Sequence, residues 1–293
     1  MNTIDLATFI KLLYGTVDEL TYLYKLNSKE WYALYSLALE HKVDALLYKL
    51  LCRHEALLEM IPSSIRKAFR SIYKYNYNQN LYGIKEANRI AQACYTAGIR
   101  ICAKRGIALL NDVYQDYGVR SLQDIDFIVS PKDCLATNCL LQALGYEIFR
   151  INDQLSTHLP NNTEVNSVLY KRRGIYQDYD RKLTVDISYH SKFFNLQSMI
   201  DNSAPPTSHI QWRTLQAEDS FLLLCQGLYD DALEHNTKPG PEHCSIGKLI
   251  DLIGYTHIHT VPITDRFQYD ATVDYACSCA SSIWNITLFD GEV

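Results

Sequence analysis

The chain of 293 residues has no CxxC pair, no long apolar run and no excess of positive charge. Each absence excludes something. The nine cysteines (Cys52, Cys94, Cys102, Cys134, Cys139, Cys225, Cys244, Cys277 and Cys279) are odd in number, and their only close pair is Cys277-Ser-Cys279. That spacing suits neither a disulfide framework nor a zinc site, and points to buried thiols in a reducing compartment. No apolar stretch is long enough to span a bilayer. The opening MNTIDLATFIKLLYG lacks a basic region running into an apolar one with a small-residue cleavage site. A cytoplasmic protein with no membrane partner is therefore expected. The net charge of −5 supplies no global field for nucleic acid, so any such contact would need a local patch. Internal repeats and low-complexity tracts are also missing.

What is present is an ordinary globular composition, 47% hydrophobic and 21% charged, in a chain long enough for two or three packed units. Residues 1–95 read as a helical region. Asn27 is a candidate N-cap with Glu30 three residues on, and Leu34, Leu37, Val43, Leu46, Leu47 and Leu50 follow near helical spacing. Ser63 to Ala97 continues as a long segment with few breakers, its tyrosines suited to packing.

The pattern changes near Gly98. IRICAKRG is short and rich in Ile, IALLNDVYQDYG is helix-like, and SLQDIDFIVS alternates, with Ile125, Phe127 and Val129 on one face and Asp124, Asp126 and Ile128 on the other. Ser130, Pro131 and Asp133 have the spacing of a helix start, and Gly145 suits a C-terminal cap. YEIFRI, EVNSVLY and RKLTVDISYH read as further extended runs, the last two flanking a turn-rich KRRGIYQDYD. The fold class expected is α+β: a small mixed-sheet core over residues 96–200, with helical regions at 1–95 and 201–293. DNSAPPTSH marks the second boundary, and AEDSFLLLCQGLYDDALEH and CSIGKLIDLIGYTHIH read as packed helices.

Asp124 and Asp126 raise the chemical question. Residues i and i+2 of a strand lie roughly 6.5–7 Å apart on one face, so their carboxylates can converge on a cation. Magnesium favours carboxylates completed by substrate phosphate oxygens, and Asp186 in TVDIS is the best third acid for a two-metal site. Spacing alone proves little, because 33 acidic residues in 293 give about four acid-x-acid triplets by chance. A solvated strand end would explain the pair equally well. Context favours chemistry: the pair lies inside an apolar strand, a second aspartate strand follows, and Gly106 in AKRGIALL stands at a strand-to-helix turn where backbone N–H groups can approach phosphate. Lys104 or Arg105 could contact a triphosphate. Arg120 could bind phosphate or neutralise the aspartates.

The run RGIALLNDVYQDYGVRSLQDIDFIVSPKDCLATNCLLQALGYE resembles the uncharacterised nucleotidyltransferase family of the polymerase-beta-like superfamily. That family's pattern is Lys-Gly, a short helix, Tyr, then Arg before Asp-Ile-Asp-Leu-Leu-Val, and a helix ending Gly-Tyr. Gly106, Tyr114, Arg120, Asp124, Ile125, Asp126, Val129, Gly145 and Tyr146 carry the match. Asp186 takes the acidic place of a Val-Glu-Leu-His-like strand, with Ser188 where the family has His, and Arg105 stands where Lys is usual. The leading and trailing helices resemble the family's more loosely. The resemblance implies a nucleotidyltransferase core that moves a nucleoside monophosphate from an NTP to an acceptor hydroxyl and releases pyrophosphate. It implies Mg²⁺ or Mn²⁺ held by Asp124, Asp126 and Asp186, and phosphates met by Lys104, Arg105 and the backbone at Gly106. The acceptor, whether small molecule, peptide, protein or RNA, is not legible.

Other readings remain. A DxD pair also serves glycosyltransferases, but those place an α/β nucleotide-binding half before the DxD strand, and here about 95 helical residues precede it. The replaced Lys and His also fit a nucleotidyltransferase-fold binding or scaffold protein with weakened catalysis, for example in peptide or natural-product biosynthesis. His158 and His190 lie near enough in sequence to act as acid or base. His235, His243, His257 and His259 with Cys244 lack standard zinc spacing, and KYNYNQNLYG lacks the basic stripe of a nucleic-acid surface.

Overall fold

The computed structural model describes residues 22–152, 154–156, 158–159, 165–172, 183–235, 240, 243–261, 267, 270–284 and 288. Asn27 caps the first helix as its spacing predicts. Its Oδ1 accepts from the N–H groups of Lys29 and Glu30 at 2.9 and 3.2 Å, and Glu30 accepts from the Asn27 N–H at 2.8 Å. Helix α1 covers Ser28–Glu40, followed by α2 (Asp44–Leu51), α3 (Glu55–Met60) and the long α4 (Ser63–Thr96). Strand β1 (Ile101–Ala103) leads to the short α5 (Gly106–Leu109), extended by a π-turn over Leu110–Tyr114. Then come β2 (Asp124–Val129), α6 (Cys134–Ala143), β3 (Tyr146–Ile151), β4 (Gln154–Leu155), β5 (Ser167–Arg172) and β6 (Thr184–Ser188). Helices α7 (Leu196–Asn202), α8 (Ala217–His235), α9 (Ile246–Ile258) and α10 (Ala271–Trp284) complete the described elements.

The architecture is α+β, and the described strands form one mixed sheet in the order β1-β2-β6-β5-β3-β4. Strands β2 and β6 run parallel, while the other neighbours are antiparallel. The helix start expected at Ser130 takes another form. Pro131–Asp133 is a 3-10 turn and α6 begins at Cys134. Ser130 does not cap it, because its Oγ donates to Gln197 Oε1 at 2.5 Å. Gly145 does follow α6 with a φ of +91°, the left-handed position that favours glycine. The opening MNTIDLATFIKLLYG and most of KRRGIYQDYD lie outside the described residues. All nine cysteines are free thiols, with Cys52 and Cys139 exposed rather than buried.

The chain divides into two compact units: residues 1–78, 113–121 and 221–293, and residues 79–112 and 122–220. This differs from three regions in succession. The two helical ends share one unit, because α9 buries Ile246, Leu249, Leu252 and Ile253, and at Gly247 a Cβ would lie 3.0 Å from the His41 carbonyl oxygen. In that unit Trp31, Leu34, Leu51 and Phe69 are buried, and Tyr35 meets the Phe69 ring edge-on at 5.0 Å. The second unit packs Ala87, Ile90, Ala91 and Cys94 of α4 with Ile125, Phe127, Val168, Tyr170, Val185 and Ile187 of the sheet. Glu86 is one of its buried acids. Burial alone would raise this carboxyl, but hydrogen bonds from Arg89 and Tyr146 outweigh that and hold it below the usual carboxylate range.

Asp116 ties the segment after the π-turn into the helical unit. Its carboxylate accepts from Tyr73 Oη at 2.8 Å and the Gly118 N–H at 2.9 Å, and pairs with Lys49 Nζ at 2.7 Å. Gly118 must stay small, since a Cβ there would lie 2.3 Å from the Tyr73 ring. Burial would raise the Asp116 carboxyl, yet Lys49, the Gly118 N–H and Tyr73 together lower it. A carboxylate whose folded-state pKa is depressed adds stability above its unfolded value of about 3.9, and that stability is lost as pH falls through the folded value. Asp116→Asn should therefore destabilise the protein by about 1–2 kcal/mol at neutral pH. In urea melts the gap from wild type should narrow as pH falls below about 4. A gap that stays constant over that range would show that the ion pair contributes nothing.

Candidate active site

The site begins with alternation. On β2 the side chains of Ile125, Phe127 and Val129 enter the core, which leaves Asp124, Asp126 and Ile128 on the opposite face. On β6 Val185 and Ile187 enter the same core, leaving Thr184, Asp186 and Ser188 opposite. The two strands pair in parallel with Asp124 opposite Thr184, Asp126 opposite Asp186 and Ile128 opposite Ser188. Asp126 and Asp186 are thus direct neighbours on one face, and Asp124 lies two residues earlier on it.

Lys104 brings a charge of the other sign to this row. It follows β1, and its N–H donates to the Asp126 carbonyl at 3.0 Å, which extends the sheet by one residue. Its Nζ donates to Ser188 Oγ at 2.7 Å and lies 3.7 Å from Asp186 Oδ2 and 3.9 Å from Asp126 Oδ1. Side-chain exposure is 6% for Lys104, 11% for Asp126 and 25% for Asp186, so water screens these charges poorly. Opposite charges about 4 Å apart attract by about 4 kcal/mol at the effective dielectric near a protein surface, before the cost of desolvation. The lysine thus offsets part of the repulsion between the two carboxylates.

The next residue turns the chain. Arg105 has φ +53° and ψ −123°, a conformation costing about 1–3 kcal/mol for a residue with a Cβ. Its carbonyl accepts the first bond of the short helix from the Leu109 N–H at 2.9 Å, and the buried Gly106 follows at once. Lys104 and Gly106 therefore flank a strained turn at the edge of the acid row.

Arg120 has a different setting. In the helical unit its Nε and Nη2 fork onto Asp251 at 3.0 and 2.9 Å, its Nη1 donates to the Ser121 carbonyl, and Tyr114 Oη donates to the same carboxylate at 2.5 Å. Asp251 is 4% exposed, so this pairing accounts for Arg120 without a phosphate. Sequence reading passed over Asp251, although an aspartate inside KLIDLI was a visible signal of a buried partner. The Lys104–Ser188 bond was equally unread, since it joins residues 84 apart. Among the described residues no group of three or more His, Cys, Asp or Glu side chains is gathered closely enough to hold a metal. His243 and His257 are exposed, and the His259 ring stacks on Tyr255 with centroids 4.3 Å apart.

Known proteins give this geometry its context. The model described as uncharacterised nucleotidyltransferase matches residues 27–258. No curated protein matches the chain. The crystal structure of ANT(2")-Ia in complex with adenylyl-2"-tobramycin is similar at 12% identity and a TM-score of 0.37, over 59% of this chain and 87% of that one. An antigenic nucleotidyltransferase-like protein from Paracoccidioides brasiliensis is similar at 12% identity and a TM-score of 0.41, over 68% of this chain and 86% of its own. Both likenesses are too slight to carry a residue across. The family match spans α1 to α9 and includes both aspartate strands. The chain belongs to the uncharacterised nucleotidyltransferase family.

Proposed function

We propose that the chain transfers a nucleoside monophosphate from an NTP to an acceptor hydroxyl, with Mg²⁺ or Mn²⁺ bound at Asp124, Asp126 and Asp186. The observation that supports this reading best is the parallel register that sets Asp126 opposite Asp186. The donor set fits a hard divalent cation, since all three side chains offer carboxylate oxygens on one face. Magnesium ordinarily takes one or two carboxylates and completes its shell with water and substrate phosphate, so acids that do not form a closed cage suit a metal that arrives with its nucleotide.

When bound, the metal would polarise the phosphate oxygens and favour the ionised form of the attacking hydroxyl. The chain's own groups do the rest. Lys104 and the backbone at Gly106 meet charge on the phosphates, with Arg105 beside them. The acceptor hydroxyl gives its proton to solvent, its oxygen forms a bond to the α-phosphorus as the bond to the bridging oxygen breaks, and pyrophosphate leaves with that electron pair. Asp186 is more exposed than Asp126, so an acceptor would reach it more readily.

Like charges held together make the folded state a better metal binder than the unfolded chain, so Mn²⁺ with an NTP should raise the melting temperature. Differential scanning fluorimetry reads this directly. An unmoved midpoint at millimolar metal and nucleotide would speak against a working site.

Asp124→Asn and Asp126→Asn should each abolish pyrophosphate release while the circular dichroism spectrum stays that of wild type. The assay incubates labelled NTPs with cell extract and follows both pyrophosphate and the labelled acceptor. Turnover that survives both substitutions would remove these carboxylates from the chemistry. Nucleotide binding with no pyrophosphate from wild type would leave the weakened, binding-only role.

A further inference from the structure

Lys104 balances the acid row, but its ammonium also lies where a divalent cation would have to come. We infer that Lys104, latched by Ser188, is a built-in competitor that keeps Asp126 and Asp186 closed to metal until nucleotide phosphates draw the ammonium away. This rests on the carboxylate reading given above and adds to it an order of events: metal alone binds weakly, and metal with nucleotide binds well.

The distances carry the inference. An ammonium has three N–H donors and no acceptor. The short bond, 2.7 Å, goes to the neutral Ser188 hydroxyl, while the two carboxylates lie at 3.7 and 3.9 Å, beyond ordinary hydrogen-bond length. A charged partner normally draws the shorter contact. Here the hydroxyl fixes where the ammonium rests, and the acids hold it from charge-pair range. Ser188 sits two residues beyond Asp186 on the same face of β6, and the ammonium that bonds it lies within 4 Å of both acids. Its side chain is 6% exposed, so it has little room to leave unless another anion takes the charge.

A triphosphate supplies that anion. Lysine is a compact point charge on a flexible stem and readily moves to a phosphate oxygen. Leaving Ser188 breaks one hydrogen bond to a neutral group, and the vacated flank of Asp126 and Asp186 is then open to a cation carried by the same nucleotide. Lys104 thereby acts first as a counter-ion and then as a phosphate contact.

The test is Mn²⁺ binding without nucleotide, followed by the loss of the free-ion electron paramagnetic resonance signal, for wild type, Lys104→Met, Ser188→Ala and Ser188→Thr. Lys104→Met should bind Mn²⁺ about tenfold more tightly by removing the competing charge. Ser188→Ala keeps every charge and removes only the latch, so it should bind about threefold more tightly. Ser188→Thr, which restores a hydroxyl, should match wild type. Tightening in Lys104→Met with none in Ser188→Ala would overturn the latch, because bulk charge alone would then suffice. If Mn²⁺ binds wild type and neither variant differs from it, the competition is overturned while the metal site stands. If no form binds Mn²⁺ without nucleotide, this inference is overturned, while the metal reading is decided by the melting shift with Mn²⁺ and NTP together. Ser188→Ala alters one hydroxyl on a half-buried strand position, so it decides the matter even if Lys104→Met does not fold.

Discussion

Two carboxylates on adjacent strands repel, and the structure holds Asp126 against Asp186 all the same. The force that does so is apolar. Ile125 and Phe127 of β2 and Val185 and Ile187 of β6 are fully buried on the far face of the sheet. Burying a side chain of that kind stabilises by about 1.5–3 kcal/mol. A slip of one residue in either strand would turn its apolar set outward and its acids into the core. Four such side chains together outweigh the repulsion between the two acids, so the core fixes the register and the register fixes the acids. Lys104 then lowers the electrostatic cost that the core imposes.

Signals within a few residues were legible in the sequence. The Asn27–Glu30 box, the turn glycine at Gly145 and the alternation in DIDFIV each depend on near neighbours, and each has its physical form in the structure. Asp186 was legible because alternation in LTVDIS put it opposite Val185 and Ile187. Pairings set by the fold were not legible. Ser130 had the spacing of a cap, but Gln197, 67 residues away, took its hydroxyl. Arg120 stood four residues before Asp124 in sequence and found its partner in Asp251, 131 residues on. A formal charge can be read from a letter, but its partner depends on where the chain returns.

The family's pattern therefore mixes two kinds of residue. Tyr114 and Arg120 both donate to the buried Asp251, which gives them a load within the helical unit: a buried polar group must be met by hydrogen-bond partners. Asp124 and Asp126 belong to the sheet unit and its acid row. Proximity in the motif, four residues from Arg120 to Asp124, conceals a change of role between them. An arginine next to an acidic pair invites a phosphate reading, and the fork onto Asp251 supplies a sufficient alternative.

The same distinction resolves the Lys-Arg-Gly run. Either basic residue could have filled the place of a lysine before glycine. Lys104 is the last residue to share sheet pairing, through its N–H to the Asp126 carbonyl, so its side chain projects over the acid face with the register of a strand residue. Arg105 comes one residue later, after pairing has ended, and adopts a positive φ that only glycine takes without strain. The chain accepts that strain at an arginine because the turn must fall there. A turn one residue earlier would take Lys104 out of the sheet and its ammonium away from Asp126, Asp186 and Ser188. Backbone strain at one residue is thus coupled to charge balance at its neighbour, and both follow from the apolar register of β2 and β6.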